Sequence, residues 1–378
     1  MSKTLTDIAK QLKDTYKKVQ LIYAFNGTGK TRLLQEFKQL VTPKLSDDSS
    51  LSRNKILYYS AFTEDLFFWD NDLEGDRDRK LLIQSNSFTS WLFNFLKEQG
   101  QDGNITKNFQ RLTHSKITPQ FNQDFSEITF SIERGGNDTI HNLKISKGEE
   151  SNFIWSVFYT FLEEVVSILD EDPDNRSRTE FDNIEYIVID DPVSSLDDNH
   201  LIEVAIDLVR LIKSTKANIR FVVFTHNALF YNAFYNTFKR DEQRNNGILN
   251  KYTLRKIDNG LYLLIQHNEN SQFSYHLHIK EEIEMAISNS QVKKYHFNFL
   301  RNILERTTIF LGHSKWQDLL PEKYKDKVAS YEERMINISS HSDYAAEEVV
   351  DLNSKAAEEL IELMNAINLT YNFKKNKS

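Results

Sequence analysis

Cysteine is absent from the 378 residues, which excludes disulfides, thiolate metal sites and a cysteine nucleophile. A basic excess is absent too. Lys and Arg number 47 against 55 Asp and Glu, for a net charge of −8 and a pI near 5.8. Proteins coated non-specifically with nucleic acid are usually basic, so any nucleic-acid role must rest on local positive patches. No apolar run approaches the roughly 18 residues of a membrane span. The N-terminal MSKTLTDIAK has no signal-peptide apolar stretch. The expectation is a microbial protein of the cytoplasm with no membrane. What is present is a well-stocked core: 39% hydrophobic residues, with 26 Phe and 16 Tyr, which rules out a mainly disordered chain. The length predicts two or three domains.

Patterning divides the chain. A short amphipathic helix over 4–16 precedes the apolar run Val19 to Tyr23. Residues 88–97 read as a helix, and 127–133 alternate as a strand with Ile128, Phe130 and Ile132 on one face. The turn signal 134–138 follows. Residues 152–169 form a strongly apolar helix, followed by a charged loop over 170–180. Tyr186 to Ile189 and Phe221 to Phe224 are short continuous apolar runs, as in buried parallel strands, with a helix over 201–211 between them. Residues 252–257 and 261–266 flank Asp258-Asn259-Gly260 as a hairpin. Beyond the polar stretch 267–272 the pattern is helical to a basic tail. The expected fold class is α/β: residues 1–266 an NTPase domain, residues 267–378 a mainly α-helical domain.

The chemistry of the first part is that of a nucleotide machine. Ala24-Phe25-Asn26-Gly27-Thr28-Gly29-Lys30-Thr31 fits the P-loop pattern, between a predicted strand and a predicted helix. Gly27 and Gly29 let backbone N–H groups close around phosphate oxygens. Lys30 reaches the β and γ phosphates, and the Thr31 hydroxyl suits Mg²⁺. Ile187 to Ile189 ends in two carboxylates, a Walker B arrangement. Asp190 is the expected Mg²⁺ residue and Asp191 the water-activating one, where Glu is commoner. Ser194-Ser195-Leu196-Asp197 follows at the spacing of a D-loop. His226 closes the next strand, where it can meet a γ-phosphate. Ile145-Ser146-Lys147-Gly148-Glu149 resembles the signature of ABC-type ATPases, with Ser146 and Gly148 in the key positions. In that family the signature binds the γ-phosphate held by another subunit's P-loop. One P-loop and one signature therefore imply a homo-oligomer built on head-to-tail ATPase dimers. No long heptad insertion lies between residues 32 and 145, which excludes a long coiled-coil arm.

The C-terminal part carries six of the ten histidines: His267, His276, His278, His296, His313 and His341. His276 and His278 alternate, as on one strand face, but three converging zinc ligands are not evident. Residues 295–311 read as a helix with the stripe Phe297, Leu300, Leu304 and Leu311. Arg301 and Glu305 lie four apart on it, as a surface ion pair would or as two catalytic groups would. A second helix over 333–340 stacks Arg334, Ile338 and His341. Arg-x6-His fits the loose motif of the helical HEPN ribonucleases. Arg, a carboxylate and His together suit metal-independent RNA cleavage: one group takes the 2′-OH proton, another protonates the leaving 5′-oxygen, and Arg stabilises the charge on phosphorus. The products are a 2′,3′-cyclic phosphate and a 5′-OH.

With both halves in view, the chain resembles the PrrC-type anticodon nucleases nearly end to end. The blocks 18–33, 56–73, 146–160, 189–203, 274–278, 295–302 and 310–320 carry the likeness. Tyr59-Ser60-Ala61-Phe62-Thr63-Glu64-Asp65-Leu66-Phe67-Phe68-Trp69-Asp70 is far more specific than any ATPase motif. The resemblance implies an ABC-type ATPase joined to a HEPN-like nuclease, with a triad on Arg301, Glu305 and His341. Arg334 is left as a supporting or a structural residue. It further implies cleavage of host lysine tRNA at the anticodon loop in anti-phage defence. The nuclease is then held latent beside a type I restriction-modification complex. GTP or ATP with Mg²⁺ governs the switch, and dTTP acts as a regulatory ligand. Residues 266–278 resemble the family's anticodon-reading stretch, with Asn268 where the family carries an acidic residue. A positive face from Lys293, Lys294, Arg301, Arg306 and the tail would reconcile the acidic total with RNA binding. The competing reading is an ABC-type ATPase of the DNA-repair or defence-sensor kind without its own nuclease. A ribosome-acting ABC protein fits less well, because those carry two ATPase units in one chain.

Overall fold

The computed structural model describes residues 2–43, 55–75, 77–134, 138–192, 196–239, 248–257, 260–267, 275–327, 331, 354–371 and 373. The chain divides into two compact units, Met1–Glu269 and Asn270–Ser378.

The first unit is built on a six-stranded sheet. Strands β1 (Val19–Ala24), β2 (Ile56–Ser60), β8 (Tyr186–Asp190), β9 (Arg220–Thr225) and β10 (Leu249–Lys256) are parallel. β11 (Tyr262–Gln266) closes the edge antiparallel to β10, so the predicted hairpin pairing is present. The order is β11-β10-β1-β9-β8-β2. β1 and β8 are buried at every position, as expected of strands covered on both faces. Helix α1 (Leu5–Asp14) starts at a Thr4–Asp7 capping box and buries Leu5, Ile8, Ala9 and Leu12, a helical stripe. With α2 (Lys30–Val41) it covers one face, packing on Ile22, Val222, Val188 and Tyr252. The opposite face meets α5 (Lys147–Asp170) and α7 (Ala228–Lys239): the Tyr59 ring lies 4.3 Å from Phe158, and Tyr23 lies 6.0 Å from Tyr231.

Between α2 and α5 lies a smaller antiparallel sheet, ordered β3 (Phe67–Asp70), β4 (Lys80–Ile83), β6 (Glu127–Arg134), β5 (Thr118–Phe121), with β7 (Asp138–Ile140) paired to β6. Helices α3 (Ser87–Glu98) and α4 (Asp102–Thr113) accompany it. Phe109, Phe121 and Phe130 ring Phe153 of α5 at 5.2–6.1 Å, so the aromatic wealth of the sequence is spent here. Against the expectation that no apolar run approaches a membrane span, α5 is long and apolar enough to cross one by length and composition. With 83% of its apolar window buried it is instead a core helix, the only candidate span among the described residues. Helix α6 (Asp198–Ser214) completes the unit.

The second unit is helical. α8 (Tyr275–Ser288) packs on α9 (Tyr295–Leu311), and the last described helix is Ser354–Tyr371. The α9 bounds are those read from the sequence. Phe297, Leu300 and Leu304 of its stripe are buried, whereas Leu311 is exposed beside Ile309 and Phe310. His276 and His278 do not share a strand face: they lie on helix α8, where Ile279, Ile283 and Ala286 at helical spacing outweigh a two-residue alternation. The predicted helix over 333–340 falls outside the described residues.

His296 is 1% exposed and accepts a hydrogen bond at Nδ1 from the Lys293 N–H. Burial, aided by the Lys293 charge, lowers its pKa from 6.5 to about 4. The folded state therefore binds fewer protons than the unfolded chain between these values, and stability is lost as pH falls from 6.5 towards 4. Urea unfolding should show a loss of about 1.5 kcal/mol between pH 6.5 and 5 from this residue. His296→Gln removes that part of the slope; an unchanged slope would contradict the assignment.

Candidate functional site

The C-terminal ends of β1, β9 and β8 place the nucleotide motifs side by side. β9 separates the P-loop strand from the two carboxylates, a gap of roughly 10 Å at the usual strand spacing. A lysine side chain can cross it. Gly27 and Gly29 have φ of +77° and +97°, the left-handed region that glycine adopts without strain, and the chain turns there into α2. The Thr28 N–H donates to Phe25 O at 3.2 Å, tightening the turn. Lys30, the first residue of α2, is buried. Its ammonium reaches Asp191 Oδ2 at 2.8 Å, Asn26 Oδ1 at 3.1 Å and Ala24 O at 3.2 Å. Thr31 is exposed on the same turn.

Asp191 leaves β8 with φ of +50°, a conformation that Asp tolerates better than most side chains. Its N–H donates to Phe224 O at 3.0 Å, and its Oδ1 accepts the His226 N–H at 2.8 Å. The His226 Nδ1 also lies 2.8 Å from that oxygen. Burial pushes the Asp191 carboxyl up, but His226 and the Lys30 charge outweigh it and hold the group below the usual carboxylate range. Asp190 differs. Burial and the neighbouring Asp191 charge raise it from 3.8 to about 6. Among the described residues its buried Oδ1 has no hydrogen-bond partner, and the Tyr58 hydroxyl lies 3.5 Å from Oδ2. An orphaned buried carboxylate oxygen at the end of this strand is what a Mg²⁺ residue offers. Among the described residues no group of three or more His, Asp and Glu could hold a metal ion by itself. A cation here would be shared by Asp190, Thr31 and nucleotide phosphates.

Sequence reasoning missed two neighbours of Asp190. Tyr58 carries the hydroxyl just named, and Lys38 Nζ lies 3.5 Å from its ring centroid. Both sit inside unremarkable strand and helix patterns: the β2–β8 pairing brings Tyr58 to Asp190, and α2 lays Lys38 over the Tyr58 ring. That pairing also sets Ser60 in register with Asp190.

Ser146 is the exposed N-cap of α5, in a capping box with Glu149: its N–H and Oγ both donate to Glu149 Oε2 at 2.8 Å. Gly148 lies in the first turn, where the helix dipole favours anions. Asp197 caps α6, accepting the N–H groups of Asn199 and His200 at 3.1 Å. These backbone bonds, His200 first, hold its carboxyl below the usual range. Ser194 and Ser195 lie outside the described residues.

In the second unit, Arg301 Nε donates to Glu305 Oε1 at 2.7 Å on α9, with side chains 39% and 48% exposed. Lys294 and Arg306, both exposed, belong to the same helix and its cap, and Lys293 precedes them. His341, Arg334, Asn268 and the basic tail fall outside the described residues.

Comparison with known proteins matches residues 103–368 to a family described as an AAA domain. An anticodon nuclease of Escherichia coli is 50% identical, the match covering 93% of this chain and 92% of that one. Among solved structures, an Smc head domain with an extended coiled coil from Pyrococcus furiosus gives a TM-score of 0.29 at 13% identity. That match covers 51% of this chain and 40% of that one. The SMC head domain from Thermotoga maritima gives 0.31 at 12% identity, covering 67% and 91%. The two structural likenesses add nothing to the fold as described.

Proposed function

The chain belongs to the anticodon nuclease family and to the AAA domain family, and from that premise we propose that it is a nucleotide-regulated tRNA anticodon nuclease. The observation that carries the reading is the 50% identity over nearly the whole of both chains. The substrate on this reading is host lysine tRNA, cut in the anticodon loop during anti-phage defence in the cytoplasm. The enzyme is held latent beside a type I restriction-modification complex.

Two chemistries are assigned to separate parts of the chain. In the first unit, Asn26 to Thr31 cradle the phosphates of GTP or ATP. Mg²⁺, bound through Thr31 and Asp190, supplies charge neutralisation at the phosphates. Asp191 orients and deprotonates the attacking water, and His226 faces the γ-phosphate. A phosphate that draws Lys30 away from Asp191 frees that carboxylate for water. Ser146, Gly148 and Asp197 act on the nucleotide of a head-to-tail partner, and dTTP is a regulatory ligand of the same machinery. In the second part, Glu305 and His341 divide the proton transfers of RNA cleavage and Arg301 stabilises the phosphorane charge. The exposure of Arg301 and Glu305 supports this reading, because a substrate as large as tRNA needs open access.

The test is incubation with total bacterial RNA, GTP and Mg²⁺, followed by mapping of cuts and ends. The expected result is one cut in the anticodon loop of lysine tRNA, with 2′,3′-cyclic phosphate and 5′-OH ends. Cuts with 3′-OH and 5′-phosphate ends would overturn the chemistry, and cuts confined to other RNAs would overturn the substrate.

A further inference from the structure

The most specific block of the sequence, residues 59–70, has no part in the chemistry above. Its contacts converge on the first turns of α5, the helix that opens with Ser146. Trp69 Nε1 donates to Glu150 Oε2 at 2.9 Å. Glu150 is 5% exposed, and its other oxygen is held by Lys147 Nζ at 2.6 Å. Lys144, two residues before Ser146, bonds Asn71 Oδ1, and its ammonium lies 5.7 Å from the Trp69 ring centroid. Ser151 Oγ donates to Glu64 Oε2 at 3.4 Å. The segment from Glu64 to Asn71 thus grips the signature loop before Ser146 and the helix after Gly148.

Trp69 is itself fixed. It pairs with Leu81 across β3–β4, and its ring lies 5.9 Å from Phe130, which packs on Phe153 of α5 at 5.2 Å. At the other end of the block, Tyr59 packs on Trp155 and Phe158, and Ser60 stands in register with Asp190. One continuous segment therefore runs from the metal-site strand to the signature helix.

We propose that Trp69 is a positioning residue for nucleotide hydrolysis, which holds Ser146 and Gly148 in place, through Glu150, for the nucleotide of a partner chain. Among the described residues the indole N–H is the one donor to Glu150 Oε2, within a buried site. Without it, a buried carboxylate oxygen must find water or move, and the first turn of α5 moves with it. The inference rests on the shared-site reading of the ATPase dimer given above.

The experiment mixes variants. Trp69→Phe keeps an aromatic ring against Phe130 and removes the donor. It should bind nucleotide with unchanged affinity, since its own P-loop is intact. Its rate at saturating nucleotide should fall about ten- to a hundredfold, the range a lost hydrogen bond to a charged group spans. Lys30→Ala lacks a working P-loop but keeps its signature. An equal mixture of the two should recover roughly a quarter of the wild-type rate, because half of randomly assorted dimers hold one complete site. Ser146→Ala mixed with Lys30→Ala is the control for site sharing. Recovery with Ser146→Ala but not with Trp69→Phe overturns the role of Trp69. Recovery with neither overturns the shared site and the proposal with it. Full activity of Trp69→Phe alone also overturns it. Should Trp69→Phe melt early, Glu150→Met, which removes the acceptor, enters the same mixtures with the same expectations.

Discussion

Asp191→Asn should hydrolyse nucleotide about 10²–10³-fold more slowly than the wild type while still binding it, the loss typical of a removed general base. The carboxylate suits the role because it is kept ionised. His226 and Lys30 hold its pKa down against the push of burial, so it is ready to take a proton at neutral pH. Asparagine has the same outline and can still accept the His226 N–H, but it cannot take a proton. The change also removes half of the Lys30 ion pair at 2.8 Å. Breaking a buried pair can cost about 3–5 kcal/mol. Here Lys30 keeps Ala24 O and Asn26 Oδ1, so the cost should fall short of that range. Phosphate release and fluorescent-nucleotide binding, with a melting curve as control, separate the effects. A rate within about threefold of wild type, on the same yardstick, would assign the base elsewhere.

Arg301→Ala should lower RNA cleavage by about 10²–10³-fold, the usual loss of a transition-state charge stabiliser, and leave nucleotide hydrolysis unchanged. Magnitude decides between the two meanings of the Arg301–Glu305 pair. As a surface pair, four residues apart and two-fifths to one-half exposed, it is worth only about 0.3–0.5 kcal/mol of stability. Its loss would then leave activity nearly intact. A large fall in cleavage with an unchanged melting curve is outside what a surface ion pair can produce. Cleavage assays beside hydrolysis assays on one preparation provide the check, and a nuclease rate within about threefold of wild type would return the pair to a structural role.

The parts of the fold that sequence made legible are those with a strong, long period. α9 was readable end to end because Phe297, Leu300, Leu304 and Leu311 recur at helical spacing along its seventeen residues. The nucleotide site was readable because phosphate binding forces glycine, lysine and carboxylates into fixed order along strands. The pattern could not show that β9 lies between β1 and β8, nor that Lys30 spans that gap to Asp191. Helix α4 went unread because it buries only Ile105, Phe109 and Leu112 amid polar residues, and β4 because it has four residues. The two histidines of α8 misled because an alternation of two residues is too short to outvote its helical neighbours. Tyr58, Lys38 and Trp69 meet their neighbours through pairings distant in sequence, which no local pattern records. The ion pair on α9 shows the remaining limit: its spacing is the same for a surface bridge and for a catalytic couple.

The most direct measurement compares the wild type with His341→Ala for RNA cleavage and for nucleotide hydrolysis in one reaction mixture of total RNA, GTP and Mg²⁺. The account predicts a single anticodon-loop cut by the wild type, none by His341→Ala, and equal nucleotide hydrolysis by both. Equal cleavage by both proteins, or hydrolysis by both with no cut by either, would contradict it.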